Sequence, residues 1–129
     1  MSFNPTQFKK FAILAAEQAD SKKALDILLL DLSKVQSAIS DYSLVLSANS
    51  QTHLKALSEA IEERLEDNGL RAVHKDGAHG GHWLVLDYGG FVVHIFHEAV
   101  RGFYSLERLW ENAKKVSWNS KSKKKLKPR

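Results

Sequence analysis

The clearest alternation of apolar and polar positions lies where WLVLDY (83–88) and FVVHIF (91–96) flank Gly89-Gly90. Two strand-like runs joined by a glycine pair predict a β-hairpin with a two-residue type I′ turn, because glycine readily supplies the positive φ that such a turn requires. A two-residue loop also fixes the register. Tyr88 then faces Phe91, Asp87 faces Val92, Leu86 faces Val93, Val85 faces His94, Leu84 faces Ile95 and Trp83 faces Phe96. Cross-strand partners share a face of the sheet, and residues along a strand alternate faces. One face therefore carries Leu84, Leu86, Tyr88, Phe91, Val93 and Ile95 and is the predicted core side. The other carries Trp83, Val85, Asp87, Val92, His94 and Phe96. On that face Asp87 lies diagonally from His94, roughly 7–8 Å away between backbones and within side-chain reach.

Upstream, Asn4-Pro5 reads as an N-cap followed by the first helical position. Phe8, Phe11, Ala12, Ala15 and Ala19 recur at helical spacing, so a first helix runs to about Ala19 before Asp20-Ser21 breaks the pattern. The apolar run Ile27 to Leu32 predicts a strand buried on both faces. Ser33 to Ser40 is a polar connection, Tyr42 to Ser47 a second strand and Ala48-Asn49-Ser50 a turn. Ser50 caps a helix whose Leu54, Leu57, Ile61 and Leu65 form a core stripe, and Asn68-Gly69 ends it. Glu59, Glu62, Glu63, Glu66 and Asp67 lie mostly off that stripe and form a solvated acidic face. Leu70 to His74 predicts a third short strand, and Asp76 to His82 a glycine-rich loop into the hairpin. Beyond the hairpin, His97 to Arg101 suits a short helical turn, and Ser105 caps a short helix containing Leu106, Leu109 and Trp110. This order predicts a single α/β domain, with a mixed β-sheet of about five strands flanked by helices.

Composition changes the picture in four ways. At 129 residues the chain suits one domain rather than two. It has no cysteine, which excludes disulfides, thiol nucleophiles and cysteine-based zinc sites. It opens with no secretory signal and holds no apolar run of the roughly 20 residues that a membrane span needs, so the expected location is cytoplasmic, without a membrane partner. The formal charge of +4 is also unevenly spread: eight basic residues and no acid lie from Lys114 onward, leaving 11 basic against 15 acidic residues before them. Residues 1–112 thus form the expected α/β domain, and 113–129 a basic, disordered or partly disordered tail. Such a tail either attaches to a polyanion such as RNA or simply solubilises the terminus.

Candidate chemistry centres on the histidines. His79, His82, His94 and His97, with Asp76 and Asp87, are metal-ligand types. No HExxH-like pair fixes any of them, and His94 and His97 fall on opposite faces of a strand, so no metal is expected. An Asp87–His94 dyad has the residue types for acid–base work, but no nucleophile elbow accompanies it, and a structural carboxylate–imidazole pair accounts for it better. DGAHGGH (76–82) lacks the lysine and spacing of a phosphate loop and leads into a strand. Trp83, Phe96, Tyr104 and Trp110, close in sequence to Arg101, Glu107 and Arg108, are the residue types that anchor protein interfaces.

The same stretch carries a resemblance. The pattern W-x-x-x-D-x-G-x-x-V-H-x-F followed by R-x-x-Y-x-L-E-x-L-W, from Trp83 to Trp110, resembles the ribosomal silencing factor (RsfS, Iojap or YbeB) family. Leu30-Asp31, Asp41-Tyr42, the Ser47 to Ser50 turn and His53 agree with it, and the likeness covers about residues 6–112. The chain departs from the family pattern at Gly89-Gly90, where Gly-Asp is usual, at Ala48, at Asp76-Gly77 and in a slightly longer Ser33 to Ser40 connection. The resemblance implies a fold similar to nucleotidyltransferases without their activity, and no cofactor. It also implies docking onto large ribosomal subunit protein fourteen, which blocks joining of the small subunit and represses translation. Carried onto this sequence, the partner-binding face is Trp83, Asp87, His94, Arg101, Tyr104, Glu107 and Trp110. An exposed strand edge or aromatic face could also support a homodimer, and the tail a ribosomal RNA contact. The competing reading is an enzyme, nucleotidyltransferase-like or a small hydrolase, using Asp87 and His94.

Overall fold

The first helix, α1 (Pro5–Ser21), starts where the sequence places it. Asn4 Oδ1 accepts from the Gln7 N–H at 2.9 Å, and Gln7 Oε1 accepts from the Asn4 N–H at 2.9 Å. This reciprocal box satisfies two donors that a helix start otherwise leaves unpaired. The computed structural model describes residues 3–35, 40–77, 82–104 and 113–118, with only the backbone for 102–104. Ala12, Ala15, Ala16 and Ala19 are fully buried and put a small-residue side of α1 against the sheet.

Strand β1 (Leu25–Asp31) pairs antiparallel with β2 (Tyr42–Ala48), with an irregularity in register between Leu25 and Leu28. Asp26, at φ 48°, lies inside that irregularity. Ser50 Oγ accepts from the His53 N–H at 3.0 Å and caps α2 (Gln51–Glu66). Gly69, at φ +91°, ends the helix, after which the Leu70 N–H returns to the Leu65 carbonyl at 2.9 Å. Three strands follow, β3 (His74–Asp76), β4 (Trp83–Asp87) and β5 (Phe91–His97), then α3 (Glu98–Tyr104) and β6 (Lys114–Lys115). The six strands lie in the order β3-β4-β5-β2-β1-β6. The β2–β5 pair is parallel and the others are antiparallel, so the sheet is mixed as expected, with one strand more.

Both long helices contribute to one core on one side of the sheet. Leu54, Leu57, Ile61 and Leu65 of α2 and the α1 alanines join Leu29, Leu44, Leu46, Leu84, Leu86, Phe91, Val93 and Ile95. The opposite side holds a smaller cluster, Val45 and Phe96, with Leu28 and Trp83 packed against it. Strand β2 is buried at all seven positions because it has a strand on each side and apolar packing on both faces.

The hairpin forms with the expected register, from Asp87 opposite Val92 to Trp83 opposite Phe96. Its turn differs. Only Gly89 has a positive φ, +90°, which fits type II′ rather than type I′. Gly90 is needed for a different reason: a Cβ there would meet the Phe8 ring at 2.5 Å. Its carbonyl also accepts from the Asp41 and Tyr42 N–H groups at 3.0 and 3.1 Å.

Three further expectations shift. The third strand is His74–Asp76 and not Leu70 to His74, because Leu70 is buried and its N–H completes the end of α2. Strand β1 is not evenly buried: Leu29 and Leu30 are covered, whereas Ile27 and Leu28 are half-buried near the irregular end. The basic segment begins as structure. Lys114 pairs with Asp31 and Lys115 with Leu30, the Val116 N–H donates to the Leu29 carbonyl at 2.8 Å, and Val116 and Trp118 pack on the core. Residues 119–129 and the expected short helix after Ser105 lie outside the described residues.

Gly90→Ala should therefore destabilise the chain by about 1–3 kcal/mol in urea denaturation through forced overpacking. In a Phe8→Ala background the added cost should fall toward zero; an unchanged cost would show that the ring contact is not the cause.

Candidate functional site

The register across β4, β5 and β2 sets out the sheet face turned away from α1 and α2. Asp87, Val92 and Ser43 lie in one row, Val85, His94 and Val45 in the next, and Trp83, Phe96 and Ser47 in the third. Three of the expected site residues, Trp83, Asp87 and His94, thus share this face.

Trp83, His94 and Phe96 form one aromatic cluster. Trp83 stacks on Phe96 with ring centroids 5.0 Å apart and planes 24° apart, and His94 lies 6.4 Å from Phe96 at 12°. The Trp83 Nε1–H donates to His94 Nδ1 at 3.3 Å. An indole nitrogen can only donate, so Nδ1 must be unprotonated and His94 holds the neutral form. Burial acts in the same direction, pushing His94 down to about 4 from its usual 6.5.

Asp87 does not join this cluster. Its Oδ1 accepts from the Gly89 N–H at 2.8 Å and braces the hairpin turn. Among the described residues no hydrogen bond or ion pair links Asp87 to His94, so the expected carboxylate–imidazole pair is not made. The diagonal spacing allowed it, but each side chain has a nearer partner: the turn for Asp87 and the indole for His94.

Arg101 lies at the other end of the face, on α3. Its Nη1 donates to the Asp26 carbonyl at 2.7 Å and to Ser47 Oγ at 2.9 Å. It thereby ties α3 to the irregular start of β1 and to the end of β2. Tyr104 falls in α3 with only its backbone described, and Glu107 and Trp110 lie outside the described residues.

Three of the other histidines, His53, His82 and His97, serve the fold or its edge. His53 Nδ1 accepts from the Asn49 N–H at 3.0 Å, so the neutral ring donates from Nε2 to the Lys22 carbonyl at 2.9 Å, joining the start of α2 to the end of α1. His82 and His97 lie ring to ring at 6.3 Å, and His97 Nδ1 accepts from the Ala99 N–H at 3.1 Å. His79 is outside the described residues. Among the described residues no three His, Asp or Glu side chains gather as a metal site would require. No helix among them is long and apolar enough to cross a membrane.

Ser47, Val45 and Leu28 belong to the same face, and sequence reasoning did not place them there. The signal was the alternation Ser43-Leu44-Val45-Leu46-Ser47, which puts both serines opposite the leucines. It could not be used without knowing that β2 lies beside β5.

His94 gives a pH prediction. It stays neutral in the folded chain down to about pH 4, whereas in the unfolded chain it binds a proton near 6.5. Stability from the neutral ring is thus complete above 6.5 and is withdrawn as pH falls toward 4. In urea titrations at pH 7 and pH 4.5, His94→Gln should lose about 2 kcal/mol less on acidification than the parent chain. Equal losses would show that His94 does not carry the effect.

Comparison with known proteins agrees with this architecture. The family model described as "Ribosomal silencing factor during starvation", RsfS, matches residues 5–129. The ribosomal silencing factor RsfS of Bacillus subtilis is 35% identical over 105 residues, 81% of this chain and 88% of that protein. The crystal structure of a Chromobacterium violaceum protein is similar with a TM-score of 0.76 and 32% identity, covering 85% of this chain and 90% of that one. One from Bacillus halodurans has a TM-score of 0.73 and 27% identity, covering 84% and 98%. With a family match over nearly its whole length and relatives sharing its fold, the chain belongs to the ribosomal silencing factor (RsfS) family.

Proposed function

We propose that this chain represses translation in the cytoplasm by docking onto the large ribosomal subunit through large-subunit ribosomal protein fourteen, where it excludes the small subunit. The family assignment supports a ribosome-associated silencing role. The observation that carries the docking reading is the half-buried Trp83–His94 pair, stacked over the buried Phe96 on the sheet face turned away from α1 and α2. Its polar atoms are held in a neutral, hydrogen-bonded arrangement, which suits a contact surface better than a proton-transfer site. The mechanism is steric: a domain of this size at a subunit bridge needs only to outcompete the small subunit.

Trp83 and His94 form the rigid part of the face, and Asp87 holds the hairpin end of it. Arg101 anchors α3, and with it the chain leading to Tyr104, Glu107 and Trp110, which supply aromatic anchors and orienting charge. The competing enzyme reading needs Asp87 and His94 to act together, but Asp87 bonds Gly89 and His94 bonds Trp83. A second copy pairing through the same face would compete with the ribosome.

Two measurements test this reading. In co-sedimentation with purified large subunits, Tyr104→Ala and Trp110→Ala together should weaken binding at least tenfold and relieve inhibition of subunit joining. Full retention of binding would sink the assignment. The tail gives the second measurement. Since Lys114 to Trp118 belong to the folded unit, truncation should remove 119–129 only. That deletion should weaken binding more at low salt than at high salt if the tail contacts ribosomal RNA, and an unchanged salt slope would count against it.

A further inference from the structure

The irregular start of β1 and the buried hydroxyl of Ser47 meet at one end of the sheet, where both bond to Arg101. Leu25 pairs with Ser47 and Leu28 with Val45, so β1 takes one residue more than β2 between these pairs, which is a β-bulge. Asp26 lies inside it at φ 48°, in the left-handed region that residues with a side chain occupy at a cost. Bulges turn backbone groups out of the ladder, and here the Asp26 carbonyl accepts from Arg101 Nη1 at 2.7 Å. The same nitrogen donates to Ser47 Oγ at 2.9 Å. A guanidinium Nη carries two hydrogens, so it serves both acceptors at once, and two charge-assisted bonds fix its direction.

Ser47 is fully buried and lies in the row of Trp83 and Phe96. Buried hydroxyls are ordinarily paired, and Arg101 supplies this partner from α3. Ser43 makes the contrast. It sits on the same face of the same strand and is equally buried, yet its hydroxyl has no partner among the described residues. Of the two serines, Ser47 alone is tied to α3 through this bond.

We propose that Ser47 is a positioning residue for the docking surface. With the Asp26 carbonyl it forms a fixed seat for Arg101, and so sets where α3 stands relative to the Trp83–Phe96 stack. Being fully buried, it does not itself touch a partner. The inference rests on the docking reading, in which α3 leads to Tyr104 and Trp110, and it gives Arg101 Nη1 the task of holding α3.

The test combines co-sedimentation with purified large subunits and amide chemical shifts of the isotope-labelled full chain. The variants are Ser47→Ala, Arg101→Gln, the two together, and Ser43→Ala. Ser47→Ala should weaken binding about tenfold, the scale of one bond to a charged group, and Arg101→Gln at least as much. Beside Arg101→Gln, Ser47→Ala should cost nothing further, because a residue that acts only through Arg101 has nothing left to act on. The amides of residues 98–104 should move in the same direction in both single variants and stay in place in Ser43→Ala, which should bind as the parent does. A Ser47→Ala loss that persists in full beside Arg101→Gln, unmoved amides at 98–104, or an equal effect of Ser43→Ala would each overturn the proposal. If the parent chain does not bind large subunits, the docking reading falls, and the amide comparison still decides whether Ser47 places α3. If Tyr104→Ala with Trp110→Ala weakens binding while Ser47→Ala and Arg101→Gln do not, the docking reading stands and this inference falls.

Discussion

The two-residue turn at Gly89-Gly90 is the constraint on which most of this structure depends. Side chains alternate along a strand, so the length of the turn sets the parity of β4 relative to β5. A slip of one residue in that pairing would turn β4 over relative to β5, sending Leu84 and Leu86 away from the face that Val93 and Ile95 occupy. Gly90 carries the constraint further. Its carbonyl takes the N–H groups of Asp41 and Tyr42, which starts the parallel pairing of β2 with β5 at Tyr42 opposite Phe91. Its missing side chain admits Phe8 of α1. A single glycine pair thus aligns hairpin, central strand and first helix.

That alignment decides what the second face of the sheet can do. Trp83 and Phe96 arrive there stacked, and His94 arrives with its Nδ1 committed to the indole. A histidine held neutral by burial and by a donor-only partner is poorly suited to carrying protons near neutral pH. It is well suited to keeping an aromatic surface in one conformation, because it fixes a Trp rotamer that would otherwise be lost entropy on binding. Arg101 acts comparably at the far end, where its Nη1 donates to Asp26 and Ser47. Asp87 and Arg101 therefore both brace the backbone around this face.

What was legible in the sequence follows the range of the physics involved. The Asn4 and Ser50 caps, the α2 stripe and the hairpin register depend on residues a few positions apart, and all appear as read. The turn type was misread because Gly90 is required by Phe8, which is distant in sequence. The third strand was placed too early because Leu70 reads as a strand residue, whereas its burial and its N–H serve the end of α2. Lys114 to Trp118 read as part of a basic, disordered or partly disordered tail, yet the edge of β1 offers backbone partners to a segment that composition alone gives no reason to order. The Asp87–His94 pair was allowed by geometry and lost to nearer partners, a competition that face and spacing do not rank.

The hairpin also brings two chemically unlike surfaces within one residue of each other. Asp87 braces the turn on the aromatic face, and Tyr88, the next residue, lines a groove on the helical face. The Tyr88 N–H donates to the Phe91 carbonyl at 2.8 Å, closing the same turn that Asp87 holds through Gly89. Phe8 touches the groove and the turn together, because it lines the first and fills the space that Gly90 leaves in the second.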